Sequence, residues 1–567
     1  MTTSVAQHWA ATAIDKSDSE AVLRAIEGAT ANDPASIREL AEMFGGPLKF
    51  GTAGLRARMG PGESQMNTSV IARATWGLGR WLLERDSKTV VVCFDARKQS
   101  EVFARVTAEV LSAQGLSAYL SARPLPTPVL AYAVTHLAAD AGVMVTASHN
   151  PRDDNGYKVY LGDGCQIAPP VDVEIANLIE QAPGANQIPR NSTFIQSWPE
   201  EIWRGYVQSA AHFLRHASRG DSMTSDSQAY WVYTPMHGVG AETLLKVITE
   251  LSWPEPRLVS VQAKPDGAFP TLPFPNPEEE GALAEAIKVA QTSSADLIIA
   301  NDPDADRCAV MVRRDEVWRQ LNGDEVGALL AKKIIEMSTT ASRPEADQVL
   351  ATTLVSSTLL SKMALANGFS TKTTLTGFKW IGRIQGLVYS YEEALGYCVD
   401  PSKVKDKDGI TAALLVLQVH HEAKSRNKDL LDALDEIYTQ YGLHFTDSKS
   451  IRFHITNEVL EVVASIAYNP PTEVASLQVC NFVDLTRGWR DLPPTSGVLF
   501  HLGEEVRVRG EQVRVVIRPS GTEPKIKTYL EIIYPPNSTS LTREKSEANE
   551  LANRVHSALK ESVLCPR

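Results

Sequence analysis

Three short stretches carry side chains that could do chemistry together. The first, GVMVTASHNPRDDNGYK at 142–158, leads from an apolar run into Ser148 and His149 and on through a polar loop to Lys158. The apolar run 142–145 fits a buried strand, and Asn150–Pro151 with Asn155–Gly156 force turns. A hydroxyl therefore stands where a strand yields to a loop, which is where open α/β sheets place their ligands. The second stretch, NDPDADR at 301–307, sets Asp302, Asp304 and Asp306 at alternate positions behind the apolar run 295–300. Three carboxylates in one turn repel one another unless a hard cation sits among them. The third, RPSGTEP at 518–524, offers the Arg518 fork, hydroxyls at Ser520 and Thr522, and backbone amides opened by Gly521, with Lys525 and Lys527 beside them. A phosphate dianion needs such a mixture of charged and backbone donors.

Other chemistries fit these residues less well. A hydrolase elbow needs glycines where Thr146 and Asn150 stand. An EF-hand needs Gly and Glu at the loop positions held by Arg307 and Arg313. A serine that merely caps a turn is the commoner use of that residue. Phosphorylation would change its weight, adding about two negative charges and strong acceptor oxygens. A phosphoserine facing Mg²⁺ held by three aspartates would be a phosphoryl donor. FGTAGLRARMGPG at 50–62 is a glycine-rich loop carrying Arg56 and Arg58, without P-loop spacing. Lys379 after Gly377, and Glu392 and Glu393 before Gly396, could bind a polyol, although each taken singly is more often a surface charge. His237 in TPMHGVG is a candidate loop residue only.

The elements that must position these groups alternate along the chain. Helical spacing covers residues 1–45, then strand patterns at 89–94, 117–120 and 142–145 are separated by a helix and a proline-rich crossover (Pro124, Pro126, Pro128). That is the alternation of a parallel α/β domain. Strand patterns at 295–300 and 386–389 also end in charged loops, so Ser148, Asp302 and Glu392 each follow a strand, as duplicated α/β units would place them. PDGAFPTLPFPNP, from Pro265, is too proline-rich for a regular element and reads as an ordered loop burying Phe269, Leu272 and Phe274. The last part differs: VRVVIRPSGTEPKIKTYLEI reads as an antiparallel hairpin with one wet face, followed by a helix burying Leu551, Val555 and Leu559.

A chain of 567 residues exceeds one core, and its 43% hydrophobic and 22% charged content is that of a globular protein. The net charge, 56 minus 68 or −12, disfavours nucleic acid or an anionic membrane as partner. The six cysteines, without CxxC spacing, point to a reducing compartment rather than a disulfide or zinc framework. The N-terminus lacks a signal-peptide pattern, and no apolar run is long enough for a bilayer, so a cytoplasmic location is expected.

Taken in order, GTAGLR, TASHNPRDDNGYK, DPDADR, EEALGY and RPSGTEPK resemble the motifs of the α-D-phosphohexomutase superfamily, over nearly the whole chain. FGTAGLRARMGPG, TPMHGVG and FPNPEEEG look most like the branch of phosphoglucomutase-2-type and phosphopentomutase enzymes. The resemblance implies an α/β fold: three similar α/β domains plus a C-terminal α+β domain around a central active-site cleft. The expected spans are 1–198 with the phosphoserine loop, 199–320 with the metal loop, 321–450 with the sugar loop and 451–567 with the phosphate loop.

By the same resemblance Ser148 is the phosphoserine, and it binds one Mg²⁺ per chain together with Asp302, Asp304 and Asp306. Arg56, His149 and Lys158 fall on positions for phosphoryl stabilisation and proton transfer. Arg307, Gly377, Lys379, Glu392 and Lys407 fall on substrate-binding positions, and Arg518, Ser520, Gly521 and Thr522 on the distal phosphate loop. The implied reaction interconverts hexose 1- and 6-phosphates through a sugar bisphosphate, with a sugar 1,6-bisphosphate or pentose bisphosphate as activator. One departure is Ala394, where many hexose mutases carry serine; the phosphopentomutase-like branch shares the alanine, so a pentose 1-/5-phosphate reaction is the alternative. A bisphosphate synthase and a non-catalytic sugar-phosphate sensor are further alternatives, and monomer and dimer both stay open.

Overall fold

The computed structural model describes residues 2–51, 54–218, 223, 231–341, 347–453, 456–503, 512–520, 525–536 and 540–564. They form two compact units, 1–321 with 394–418 and 322–393 with 419–567.

The first unit begins with three helices, Thr2–Thr12, Lys16–Thr30 and Pro34–Met43, which bury Trp9, Val22, Ile26, Leu40 and Phe44 in a small core of their own. Asp33 caps the third, accepting from the amides of Ala35 and Ser36. A six-stranded sheet follows in the order Leu55–Arg58, Asp154–Leu161, Ala141–Val145, Thr89–Phe94, Ser117–Leu120, Ile195–Ser197. Its central strands are covered on both faces, which is why VVVCF and AGVMV read as unbroken apolar runs. The proline-rich crossover turns into the helix Thr127–His136, with Pro126 at its N-cap and Pro128 in its first turn, where no amide is needed.

A second, five-stranded sheet in this unit runs Val317–Leu321, Cys308–Arg314, Leu297–Asn301, Trp231–Thr234, Arg257–Leu258. The two sheets share one device. A buried strand in parallel register with a neighbour ends in a chemistry-bearing loop, and the chain returns antiparallel to it: Ala141–Val145 into Asp154–Leu161, and Leu297–Asn301 into Cys308–Arg314.

The second unit holds the parallel strands Ser370–Thr374, Val349–Thr353 and Leu387–Glu392. It also holds an antiparallel sheet ordered His444–Arg452, Lys525–Ile533, Gln512–Pro519, Val498–Leu502, Leu477–Asp484, Glu473–Val474. The expected hairpin is there, but not with one wet face. Arg514 and Val516 are buried like Val513, Val515 and Ile517. One face meets the helix Thr456–Tyr468, and on the other Val516 and Tyr529 pack with Leu354, Val355 and Leu499. Among the described residues, no helix is long and apolar enough to cross a membrane.

Candidate active site

Ser148 lies one turn beyond the strand Ala141–Val145, with φ +51. A serine in the left-handed region is held there by its surroundings, at a cost of about 1–3 kcal/mol. Its amide donates to Thr146 Oγ1 (2.9 Å), and its own Oγ donates to Asp302 Oδ2 (2.6 Å) and lies 3.3 Å from His149 Nδ1. Ser148 is 3% exposed.

Asp302, Asp304 and Asp306 follow the strand Leu297–Asn301, are all buried, and can bring one carboxylate oxygen each to within 4.8 Å of one another. Cations and hydroxyls meet part of this charge. Lys158 Nζ donates to Asp304 Oδ2 (2.7 Å) and Asp306 Oδ2 (3.0 Å), and Lys407 Nζ lies 3.4 Å from the latter. Thr127 Oγ1 donates to Asp304 Oδ2 at 2.6 Å, and the amide of Arg307 donates to Asp302 Oδ1 at 3.0 Å. Asp304 Oδ1 and Asp306 Oδ1 remain buried with no hydrogen-bond donor among the described residues. Native proteins rarely leave such atoms bare, and two anionic oxygens beside a serine hydroxyl form the donor set of a hard divalent cation. The residues present fit that group.

The electrostatics follow from burial and crowding. Burial, then Asp304 and Asp306, push the Asp302 carboxyl well above the usual range; burial would raise Asp304 too, but the charge and hydrogen bond of Lys158 together with the hydrogen bonds from Thr127 and Asp302 hold it below. Burial would lower the Lys158 amine, yet Asp304 and Asp306 carry it above its ordinary value, so it stays charged. Burial and the cations Arg307, Arg56 and Lys158 drive His149 well below its usual value, so its imidazole is neutral. Arg56 is half-buried and donates from Nη1 to Asn150 Oδ1 (3.0 Å), while its buried Nε has no partner among the described residues. Arg307 pairs with Glu278 at 3.3 Å.

The first unit thus gathers Arg56, Ser148, His149, Lys158, the three aspartates, Arg307 and Lys407. Thr127 was not visible as a partner of Asp304, since nothing in Pro126–Thr127–Pro128 announces a contact 177 residues on. Nor was the frame around Lys407: Asp406 accepts from Tyr160 Oη and Gln166 Nε2 (both 2.7 Å), and Asp408 caps the helix Gly409–Ser425 through the amides of Ile410 and Thr411. The alternating charges of KVKDKDG were the only signal.

In the second unit, Gly377 at φ +107 starts the short helix Phe378–Ile381 that carries Lys379, and Arg518 Nη1 donates to Thr376 Oγ1. Arg518 and Lys379 are thereby brought to one stretch. Glu392, half-buried, ends the strand Leu387–Glu392, and the amide of Ser520 donates to the carbonyl of Lys525 (2.8 Å) across the neck of the hairpin. Gly521 and Thr522 lie outside the described residues.

Models of known domains match the chain in order. Alpha/beta/alpha domain I of phosphoglucomutase/phosphomannomutase matches residues 47–184, domain II 205–316, domain III 322–441 and the C-terminal domain 496–532. The chain is 42% identical over 474 residues to a probable phosphomannomutase of Haemophilus influenzae, covering 82% of this chain and 93% of that protein. It is 34% identical over 555 residues to the phosphopentomutase of Homo sapiens, covering 91% and 90%. A crystal structure of a phosphoglucomutase/phosphomannomutase family protein from Burkholderia thailandensis shares the fold with a TM-score of 0.66 at 17% identity, covering 90% of this chain and 97% of that one.

Proposed function

This chain belongs to the phosphoglucomutase/phosphomannomutase family of isomerases, and we propose that it interconverts hexose 1-phosphate and hexose 6-phosphate through phospho-Ser148 and a sugar bisphosphate. The observation that carries the proposal is the Ser148 hydroxyl, 2.6 Å from an aspartate of a buried triad two of whose oxygens have no donor among the described residues. In the first half-reaction the bond from Ser148 Oγ to phosphorus breaks as a new bond forms from the free sugar hydroxyl; that hydroxyl gives up its proton to a base and Ser148 Oγ takes one up, so that the serine ends as a neutral hydroxyl. The sugar 1,6-bisphosphate then turns over, and its other phosphoryl returns to Ser148.

The roles follow from charge state and place. His149, kept neutral beside Ser148 Oγ, is in the state required of a proton acceptor. Lys158, held as ammonium, and Arg56 face the charge that spreads over the transferring phosphoryl, where preformed cations are worth most. Asp302, Asp304 and Asp306, with the phosphoserine, would hold one Mg²⁺, which supplies further stabilisation of that charge. Arg307, Gly377, Lys379, Glu392 and Lys407 contact the sugar phosphate, and Arg518, Ser520, Gly521 and Thr522 hold the phosphate that is not reacting. The domain spans 1–198, 199–320, 321–450 and 451–567 belong to the same proposal.

Ser148→Ala tests it. With glucose 1,6-bisphosphate present as activator, the variant should lose conversion of glucose 1-phosphate to glucose 6-phosphate, and a wild-type rate would overturn the phosphoserine route. Ala394 supports a second reading, transfer between the 1- and 5-positions of a pentose, as does the similarity to a phosphopentomutase. Comparing kcat/KM for glucose, mannose, ribose and deoxyribose 1-phosphates separates the two. No turnover of any of them would favour the sensor.

A further inference from the structure

Both backbone polar groups of Ser148 trace back to one buried carboxylate, Asp95, at the end of the neighbouring strand Thr89–Phe94. On one side, Thr146 Oγ1 donates to Asp95 Oδ2 (2.6 Å) and accepts from the Ser148 amide (2.9 Å). On the other, Arg97 Nε lies 3.4 Å from Asp95 Oδ2, and its amide donates to Asp95 Oδ1 (2.9 Å). The same guanidinium spends its remaining donors on the loop that follows the serine. Nη2 reaches the carbonyls of Ser148 (2.6 Å) and Asn150 (2.7 Å), and Nη1 those of Pro151 (2.8 Å) and Asp154 (3.1 Å). Only a planar fork can serve four carbonyls at once; an ammonium cannot.

The proline-rich loop after Pro265 closes this collar from outside. Phe269, fully buried, sets its ring 5.1 Å from the Arg97 guanidinium carbon, Gly267 bridges Arg97 in parallel register, and the amide of Arg152 donates to the carbonyl of Pro273 (3.0 Å). Gly267 has no room for a larger residue, because a Cβ there would lie 2.4 Å from the carbonyl oxygen of Ala96. An arginine 3% exposed, with its charge met on one side by Asp95 and on the others by carbonyls and a ring, has no room to reach substrate.

We propose that Asp95, Thr146 and Arg97 form a positioning device that holds Ser148 in its left-handed conformation and aims its Oγ at the phosphoryl group, with Phe269 as its cover. The proposal rests on the mutase reading for what is aimed, but not for the restraint itself. The device explains how a strained serine, which must carry, lose and regain a phosphate in each cycle, returns to one geometry. It also gives the proline-rich loop a purpose.

Two measurements on Arg97→Lys, Thr146→Val and Thr146→Ser test it. The first is the single-turnover rate of Ser148 phosphorylation by glucose 1,6-bisphosphate with Mg²⁺, followed by intact mass, together with kcat and KM. Arg97→Lys and Thr146→Val should slow labelling and kcat by about 10²-fold, as a misplacement near 1 Å does, with KM nearly unchanged. Thr146→Ser, which keeps the hydroxyl, should restore both. Leu78→Ala, a core change in the helix Thr68–Leu83, serves as a control for lost stability alone and should label at the wild-type rate. The second is hydrogen exchange of the amides of residues 147–156, expected to quicken about tenfold in Arg97→Lys and Thr146→Val with exchange in the strand Thr89–Phe94 unchanged. Wild-type labelling rates in both variants, slowing shared by Leu78→Ala, or unchanged exchange at 147–156 would each overturn the positioning role. If wild type is not labelled while exchange responds as stated, the mutase reading fails and the restraint stands.

Discussion

Each unit buries a cluster of charge, and the two clusters are completed differently. In the second unit Glu531, 2% exposed, accepts on Oε1 from Ser357 Oγ (2.8 Å), the Thr358 amide (2.7 Å) and His444 Nδ1 (3.0 Å), and on Oε2 from Arg514 Nε (3.0 Å). Arg514 turns its other nitrogens to the carbonyls of Leu354 and Ser356. Burial alone would raise the Glu531 carboxyl, but Arg514 and His444 hold it below the carboxylate range. In the first unit Lys158 is shared by Asp304 and Asp306, Lys407 lies by Asp306, the Asp302 carboxyl is pushed up, and among the described residues two of the triad's oxygens go without donors. A buried ion pair with both oxygens satisfied is a structural fastening, whereas a carboxylate cluster left short of positive charge is suited to a cation. Charge alone does not tell them apart; the count of donors does.

The largest effect that could break this contrast is on turnover. Asp302→Asn should cost on the order of 10³-fold in kcat, by losing charge stabilisation at the transferring group. Its melting temperature without metal should stay level or rise, because it removes a crowded charge. A fall in stability with kcat intact would make the triad a fastening after all.

Glu531→Gln should do the reverse. It leaves Arg514 buried without its anion and should cost about 3–5 kcal/mol in urea unfolding. Mn²⁺ affinity at the triad should not change, and weakened Mn²⁺ binding would join what the comparison separates.

Next in size is the response to metal. Mg²⁺ at 100 times its dissociation constant should stabilise wild type by about 2.7 kcal/mol. A chelator should reverse that, Glu531→Gln should keep it and Asp302→Asn should lose it, all readable by thermal shift.

The smallest effect concerns Asp324, a neighbour of the Glu531 cluster that accepts from the Ser357 amide (2.7 Å) and Tyr391 Oη (2.9 Å). Burial foremost, with Glu393 and Glu531, pushes its carboxyl up to about 7. A carboxyl raised on folding adds stability below its unfolded value, and that stability is lost as pH rises through the folded one. Wild type should therefore lose stability between pH 5 and 8 relative to Asp324→Asn. Parallel melting curves for the two would show that Asp324 does not titrate there.

Local sequence carried much of this. Unbroken apolar runs marked the central strands because both faces are covered, and the strands at 89–94 and 117–120 stand where their patterns put them. The hairpin's wet face was misread because alternation reports what a strand carries, not what packs on it. Arg514 looks solvent-bound in sequence and is buried against Glu531.

What the sequence by itself determined is the chemical inventory: a serine, a triad of aspartates and the arginine and hydroxyls of RPSGTEP, each within a stretch a single loop can present. Only the tertiary structure decided which groups meet. Ser148 reaches Asp302 across 154 residues and Lys158 reaches Asp304 across 146. Arg97, just past the strand Thr89–Phe94 and given no role by its sequence setting, became the collar of the serine loop. Spacing along a chain reports neighbours within a turn or a strand pair, whereas these contacts depend on how the strands are ordered and how the loops at their ends are packed.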